Sequence, residues 1–124
     1  MKNVYNRQRI LKTQRLHTRA KQVDEESVRV SIVRMITRYA EQSPYFLNPD
    51  KVVVENVIAG LVRNRVKYGY AYCPCREVEE IAEKDKHNIC PCRSHREEIA
   101  RHGTCECGLF VSRGYLEAKQ SEHI

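Results

Sequence analysis

All six cysteines of this 124-residue chain fall between positions 73 and 107, as three Cys-x-Cys pairs: Cys73-Pro74-Cys75, Cys90-Pro91-Cys92 and Cys105-Glu106-Cys107. The pairs are separated by 14 and then 12 residues. Whatever the fold, it has to bring three short turns to one place. Three disulfides among six thiols would allow about fifteen connectivities, a pattern suited to a small secreted domain. The opening Met1-Lys2-Asn3 carries no apolar leader, which favours a reducing, cytoplasmic setting. There, clustered cysteines bind metal or do redox chemistry. Structural zinc sites commonly use cysteines with roughly two to four residues between them; one intervening residue is too tight for that knuckle. An iron–sulfur cube accepts thiolates from separate turns, and proline beside a ligand is familiar there. Four ligands leave two thiols, an even remainder that suits a reducible disulfide beside the cluster.

The doubled Cys-Pro-Cys resembles the catalytic subunit family of ferredoxin–thioredoxin reductase, whose motif is CPC, CPC and then CHC. The resemblance runs over roughly residues 30–112 and includes Tyr45-Phe46 and Cys73-Pro74-Cys75-Arg76; Glu106 stands where the family has histidine. It implies an oxidoreductase of mainly α class, a small multihelical domain folded around a [4Fe-4S] cluster. It also implies Cys73, Cys90, Cys92 and Cys105 as cluster ligands and Cys75 with Cys107 as the redox-active pair. Cys75 would be the attacking thiol and Cys107 the sulfur held by the cluster. A ferredoxin-like donor and a thioredoxin-like acceptor follow from the same resemblance, with room for a second subunit. Plant-type ferredoxins work near about −400 mV and thioredoxin near about −270 mV. Two electrons over that gap of ~130 mV release roughly 6 kcal/mol, so the difficulty lies in splitting a two-electron reduction into single steps.

Two other classes are compatible with parts of the pattern: an iron–sulfur electron carrier with two idle cysteines, and a zinc-binding nucleic-acid module. Around the cysteines, Arg76 either favours the thiolate form of Cys75 or solvates a helix start. His87, His95 and His102 are either proton shuttles or surface histidines near helix ends. Glu106 either passes protons or points to water.

The formal charge of +6 is uneven. Residues 1–23 hold seven Lys and Arg and no acid, while the remaining 15 basic and 16 acidic residues give 24–124 a charge of −1. A basic arm at 1–23, read as a solvated tail or as a docking element for an acidic partner, therefore precedes one domain at 24–124. No apolar run is long enough to span a membrane. Val28, Ile32, Val33, Ile36, Tyr39 and Ala40 make one stripe of a helix over 24–42, closed by Ser43-Pro44. Asn48 as cap and Pro49 in the first turn open a second helix to about Tyr68, with Val52, Val53, Val57, Ile58, Leu61, Val62 and Val66 in phase and Gly69 as stop. Arg76 to Lys86 reads as a short charged helix, and Ser94-x-x-Glu97 as a capping box opening a helix to about His102. Tyr45-Phe46-Leu47 is read as a link packing under the helices, and Gly108 to Val111 as an extended segment over the site. The polar end from Ser112 is read as helical or frayed.

Overall fold

The computed structural model describes residues 25–122. The basic arm at 1–23, read as tail or docking element, lies outside the described residues. Helix α1 covers 25–42, and its stripe buries Ile32 and Ile36, with Val28, Tyr39 and Ala40 packed at the edge of the core. Val33, expected on that stripe, is 37% exposed. The chain then forms β1 (Phe46–Leu47), α2 (Lys51–Tyr68), α3 (Ala82–Asp85) running into a 3₁₀ turn (Lys86–Asn88), α4 (His95–His102), β2 (Phe110–Val111) and α5 (Arg113–Glu122). The described part is mainly helical, as expected. No described helix is long and apolar enough to cross a membrane.

Helix α2 starts two residues later than expected. Asp50, not Asn48, is the cap: its carboxylate accepts from Val52 N at 3.0 Å. Asn48 is occupied otherwise, its Oδ1 accepting from Asp50 N at 2.9 Å and its Nδ2 donating to Gly108 O at 2.8 Å. This places Pro49 before the cap. The helix ends at Gly69, whose φ of 91° is one that side chains strain to adopt. Val57, Ile58 and Leu61 are buried, while Val52 points outward at 68% exposure.

The strands close the domain. Phe46 pairs with Val111 and Leu47 with Phe110, antiparallel, so the expected link and the expected cover segment are two sides of one ribbon. Apolar residues explain its position, since Leu109, Phe110 and Val111 are all at most 1% exposed.

Between the first two cysteine pairs, the expected helix over Arg76–Lys86 shrinks to α3. Buried Asp85 accepts from Glu79 N at 3.1 Å and Ile81 N at 3.0 Å. Glu80 between them takes a φ of 61°, so a carboxylate-wrapped turn replaces the first helical turns. The turn at Cys73-Pro74-Cys75 packs directly on α2. A Cβ added to Gly60 would lie 2.6 Å from both Cβ and Cγ of Pro74. Alanine normally favours a helix interior over glycine by about 1 kcal/mol. Here overlap with the proline ring reverses the sign, and Gly60→Ala is expected to lose about 1–2 kcal/mol in urea unfolding. A gain in stability would show that Pro74 does not rest on the helix.

Candidate redox site

All six cysteines converge on one cavity at the core's edge, walled also by Pro91, His95, Glu106 and Phe110. All six are free thiols. Cys73 is the centre: the thiols of Cys107, Cys75, Cys90 and Cys92 surround it and push its own thiol well above the usual range. Cys105 Sγ lies 3.6 Å from Cys107 Sγ. Exposure divides the six. Cys73, Cys90, Cys92 and Cys105 are between 2% and 6% exposed, Cys107 is half-buried and Cys75 is exposed.

Backbone hydrogen bonds explain the convergence. Cys73 N donates to Asn88 O at 2.7 Å and Cys90 N to Ala71 O at 2.9 Å, on either side of an antiparallel bridge between Tyr72 and Ile89. This laces the first pair to the second. Asn64 on α2 donates its Nδ2 to Tyr72 O at 2.8 Å and anchors the same strand to the helix. The third pair is held by β2: Cys105 N donates to Phe110 O at 3.1 Å, and Phe110 N returns to Cys105 Sγ at 3.4 Å.

The sulfurs perturb one another. Hydrogen bonds with Cys107 and Cys73, helped by the Arg76 charge, hold the Cys75 thiol well below its usual range. A hydrogen bond with Cys73, then one with Ser94, lowers Cys92 against the cost of burial. Cys107, then the backbone of Phe110, Leu109 and Gly108, does the same for Cys105. The opposite sign falls on Cys73, through the four thiols around it, and on Cys107, chiefly through Cys105. The group thus favours negative charge on some sulfurs at the expense of others.

A polar clip joins the three turns from outside. Arg76, which follows Cys75, pairs with Glu98 and with Glu106 Oε2 at 2.9 Å. It also donates to Ser94 Oγ at 2.8 Å. Glu98 accepts from Ser94 Oγ at 3.0 Å and from Glu106 N at 3.1 Å. The expected capping box is therefore not made, because Glu98 and Arg76 claim the Ser94 hydroxyl; α4 keeps its expected bounds without that cap. Arg76 is a charge near Cys75 and a structural tie; it does not solvate a helix start, because α3 begins only at Ala82. Glu106 is half-exposed and paired. His87 and His102 are exposed, whereas His95 is buried in the cavity wall. Glu98 and Tyr39 were not singled out from sequence. Glu98 sits a helical turn after Ser94, but Glu97 satisfied the capping pattern first.

The donor set suits a soft metal or cluster: six thiols, a backbone N–H on one sulfur, and one carboxylate at the rim. The space between the sulfurs is about 10 Å³, so donor chemistry carries the match rather than cavity volume. Among the described residues, no three His, Cys, Asp or Glu side chains are grouped so as to hold a metal ion.

The profile of the family described as "Ferredoxin thioredoxin reductase catalytic beta chain" matches residues 21–124. A protein of Guillardia theta, named ferredoxin-thioredoxin reductase, catalytic chain, is 28% identical over 97 residues, covering 77% of this chain and 91% of that one. Its namesake in Porphyra purpurea is 36% identical over 76 residues, or 60% of this chain and 61% of the relative. That of Pyropia yezoensis is 34% identical over the same length, covering 60% and 62%.

The clip should contribute measurably to stability. Glu98→Ala removes an acceptor from Arg76, Ser94 and the Glu106 amide at a side chain only 18% exposed. A loss of about 1–3 kcal/mol in urea unfolding is expected. Glu106→Gln, at a side chain 50% exposed, should cost less than about 1 kcal/mol. Equal effects of the two would remove Glu98 from the centre of the clip.

Proposed function

We propose, for a chain that belongs to the ferredoxin–thioredoxin reductase catalytic beta chain family, a disulfide reductase with a four-plus-two division of its thiols. Cys73, Cys90, Cys92 and Cys105 hold a [4Fe-4S] cluster; Cys75 and Cys107 form the redox-active pair. The observation that carries this reading is the division of exposure. The four assigned ligands are the four buried thiols, and the two assigned to disulfide chemistry are the two within reach of solvent. When bound, such a cluster would supply one-electron chemistry.

The chain's own residues account for the exchange steps. Cys75, exposed and favoured as thiolate, attacks one sulfur of an acceptor disulfide. That S–S bond breaks, a mixed disulfide forms on Cys75, and the departing acceptor sulfur takes a proton. Cys107, hydrogen-bonded to Cys75, displaces the second acceptor sulfur as the Cys75–Cys107 bridge closes. Two electrons from a donor and two protons return the pair to thiols. Arg76 keeps a positive charge beside Cys75 while Glu98 and Glu106 fix its position. By analogy with the names of the relatives, the donor is ferredoxin-like and the acceptor thioredoxin-like, with room for a second subunit.

Anaerobically prepared protein is expected to be brown and to carry about four iron and four sulfide per chain. Stoichiometric zinc without visible absorbance would overturn the cluster.

The division of labour is tested separately. Cys75→Ser and Cys107→Ser should each keep the cluster and lose disulfide reduction, whereas serine at Cys73, Cys90, Cys92 or Cys105 should impair assembly. Only Cys107→Ser should trap a mixed disulfide with thioredoxin, and alkylation after reduction should label Cys75 first. Disulfide reduction retained in Cys75→Ser would show that the roles are assigned to the wrong sulfurs, and a wild type with cluster but no disulfide reduction would be an electron carrier.

A further inference from the structure

Of the three described histidines only His95 is buried, at 7% exposure, and it lines the cysteine cavity from the first turn of α4. Both ring nitrogens are engaged. Nδ1 is hydrogen-bonded to Cys92 O and Nε2 to the Tyr39 hydroxyl. A carbonyl only accepts, so Nδ1 carries the hydrogen; in the neutral ring Nε2 is then the acceptor and Tyr39 the donor. The link therefore runs in one direction, from the Tyr39 hydroxyl through His95 to the Cys92 carbonyl.

Aromatic packing holds the ring in place. Its centroid lies 5.5 Å from that of Tyr39, 5.8 Å from Tyr45 and 6.4 Å from Phe110, the two tyrosines meeting it edge-on. The turn it reaches is also held just beyond Cys92, where Arg93 N donates to His87 O at 2.8 Å. Pro91 has no N–H to offer, and the backbone donor to Cys92 O is the His95 amide itself at 3.2 Å. On the other side the turn is tied by Cys90 N to Ala71 O.

We propose that Tyr39 and His95 form a strut that fixes the second cysteine pair, with His95 as a positioning residue for the disulfide reductase. Helix α1 supplies no cysteine, yet through Tyr39 it sets where Cys92 stands. The proposal rests on the function above in taking Cys90 and Cys92 as cluster ligands. Groups that orient a ligand from behind typically change metal affinity about 10–100-fold when removed.

The test compares Tyr39→Phe, His95→Leu and His95→Asn with the wild type, all prepared anaerobically. Two quantities are read: amide hydrogen exchange over 90–95 by mass spectrometry, and the rate of iron release to a ferrous chelator. Tyr39→Phe and His95→Leu should exchange faster over 90–95 and release iron about tenfold faster. His95→Asn keeps a donor near the Nδ1 position and should fall between them and the wild type. Exchange over 57–62, the buried part of α2, reports global unfolding. If His95→Leu raises it, Tyr39→Phe decides, because that variant removes one oxygen and keeps the ring. Wild-type exchange and iron release in Tyr39→Phe, or in a folded His95→Leu, overturn the strut. Wild-type protein without iron would instead overturn the cluster, leaving exchange over 90–95 to decide the strut by itself.

Discussion

Crowding six sulfurs around one point is the constraint on which the rest of the structure depends. Cys73 alone is surrounded by four other thiols, and a buried polar group without a partner costs roughly 1–3 kcal/mol. The fold meets this demand with many short ties rather than with long elements. The first two turns are laced by a bridge, the third is folded back by β2, and Gly60 lets the first turn lie flat on α2. The helices are platforms for these turns. Even the core is shared, because Cys73, Cys90, Cys92 and Cys105 pack in the same cluster as Ile36, Leu61 and Phe110.

Charge is used in two different ways around this centre. Pairs such as Lys86–Glu83 and Arg101–Glu97 are formed by largely exposed side chains on single elements, and such pairs contribute little in water. The Arg76 network is different in kind. It joins residues that follow, flank or interrupt three separate cysteine pairs, and its Glu98 is mostly buried. Water competes less for these groups, so their geometry is held more firmly. A single arginine thereby both neighbours the exposed thiol and limits how far the three turns part.

The cysteine spacing made the site legible from sequence, and apolar periodicity did the same for α1 and α2, because both signals are local; α4 is read from a Ser94-x-x-Glu97 pattern whose capping bonds are not made. Gly69 stops its helix as read, and the polar end beyond Ser112 is helical over α5. What failed was competition for short side chains. Asn48, Asp50 and Ser94 each had a plausible local role, and tertiary partners at Gly108, Arg76 and Glu98 decided which was taken. The stretch from Arg76 had helical composition, but Asp85 captured two backbone amides and bent it. Pairing of β1 with β2 joins residues more than sixty positions apart, and two-residue strands leave no periodicity to read. His95 and Tyr39 looked ordinary for a related reason, since their partnership crosses from α1 to α4.

The bridge between Tyr72 and Ile89 has a consequence for how such chains diversify. It closes the excursion from Cys75 to Cys90 at its base, with Cys73 N and Cys90 N each bonded across the opening. Within it, Arg76 ties the first turn to Glu98 and Glu106, and His87 O accepts from Arg93 N, so both ends of the excursion are held. Loop closure grows costlier by only about 0.6 kcal/mol for each doubling of length, so the exposed rim between them is free to lengthen, shorten or change composition while both thiols stay in register. Length variation among relatives is therefore expected to concentrate there, and a grafted peptide at its exposed rim near Glu77–Glu80 would leave the chemistry beneath it undisturbed.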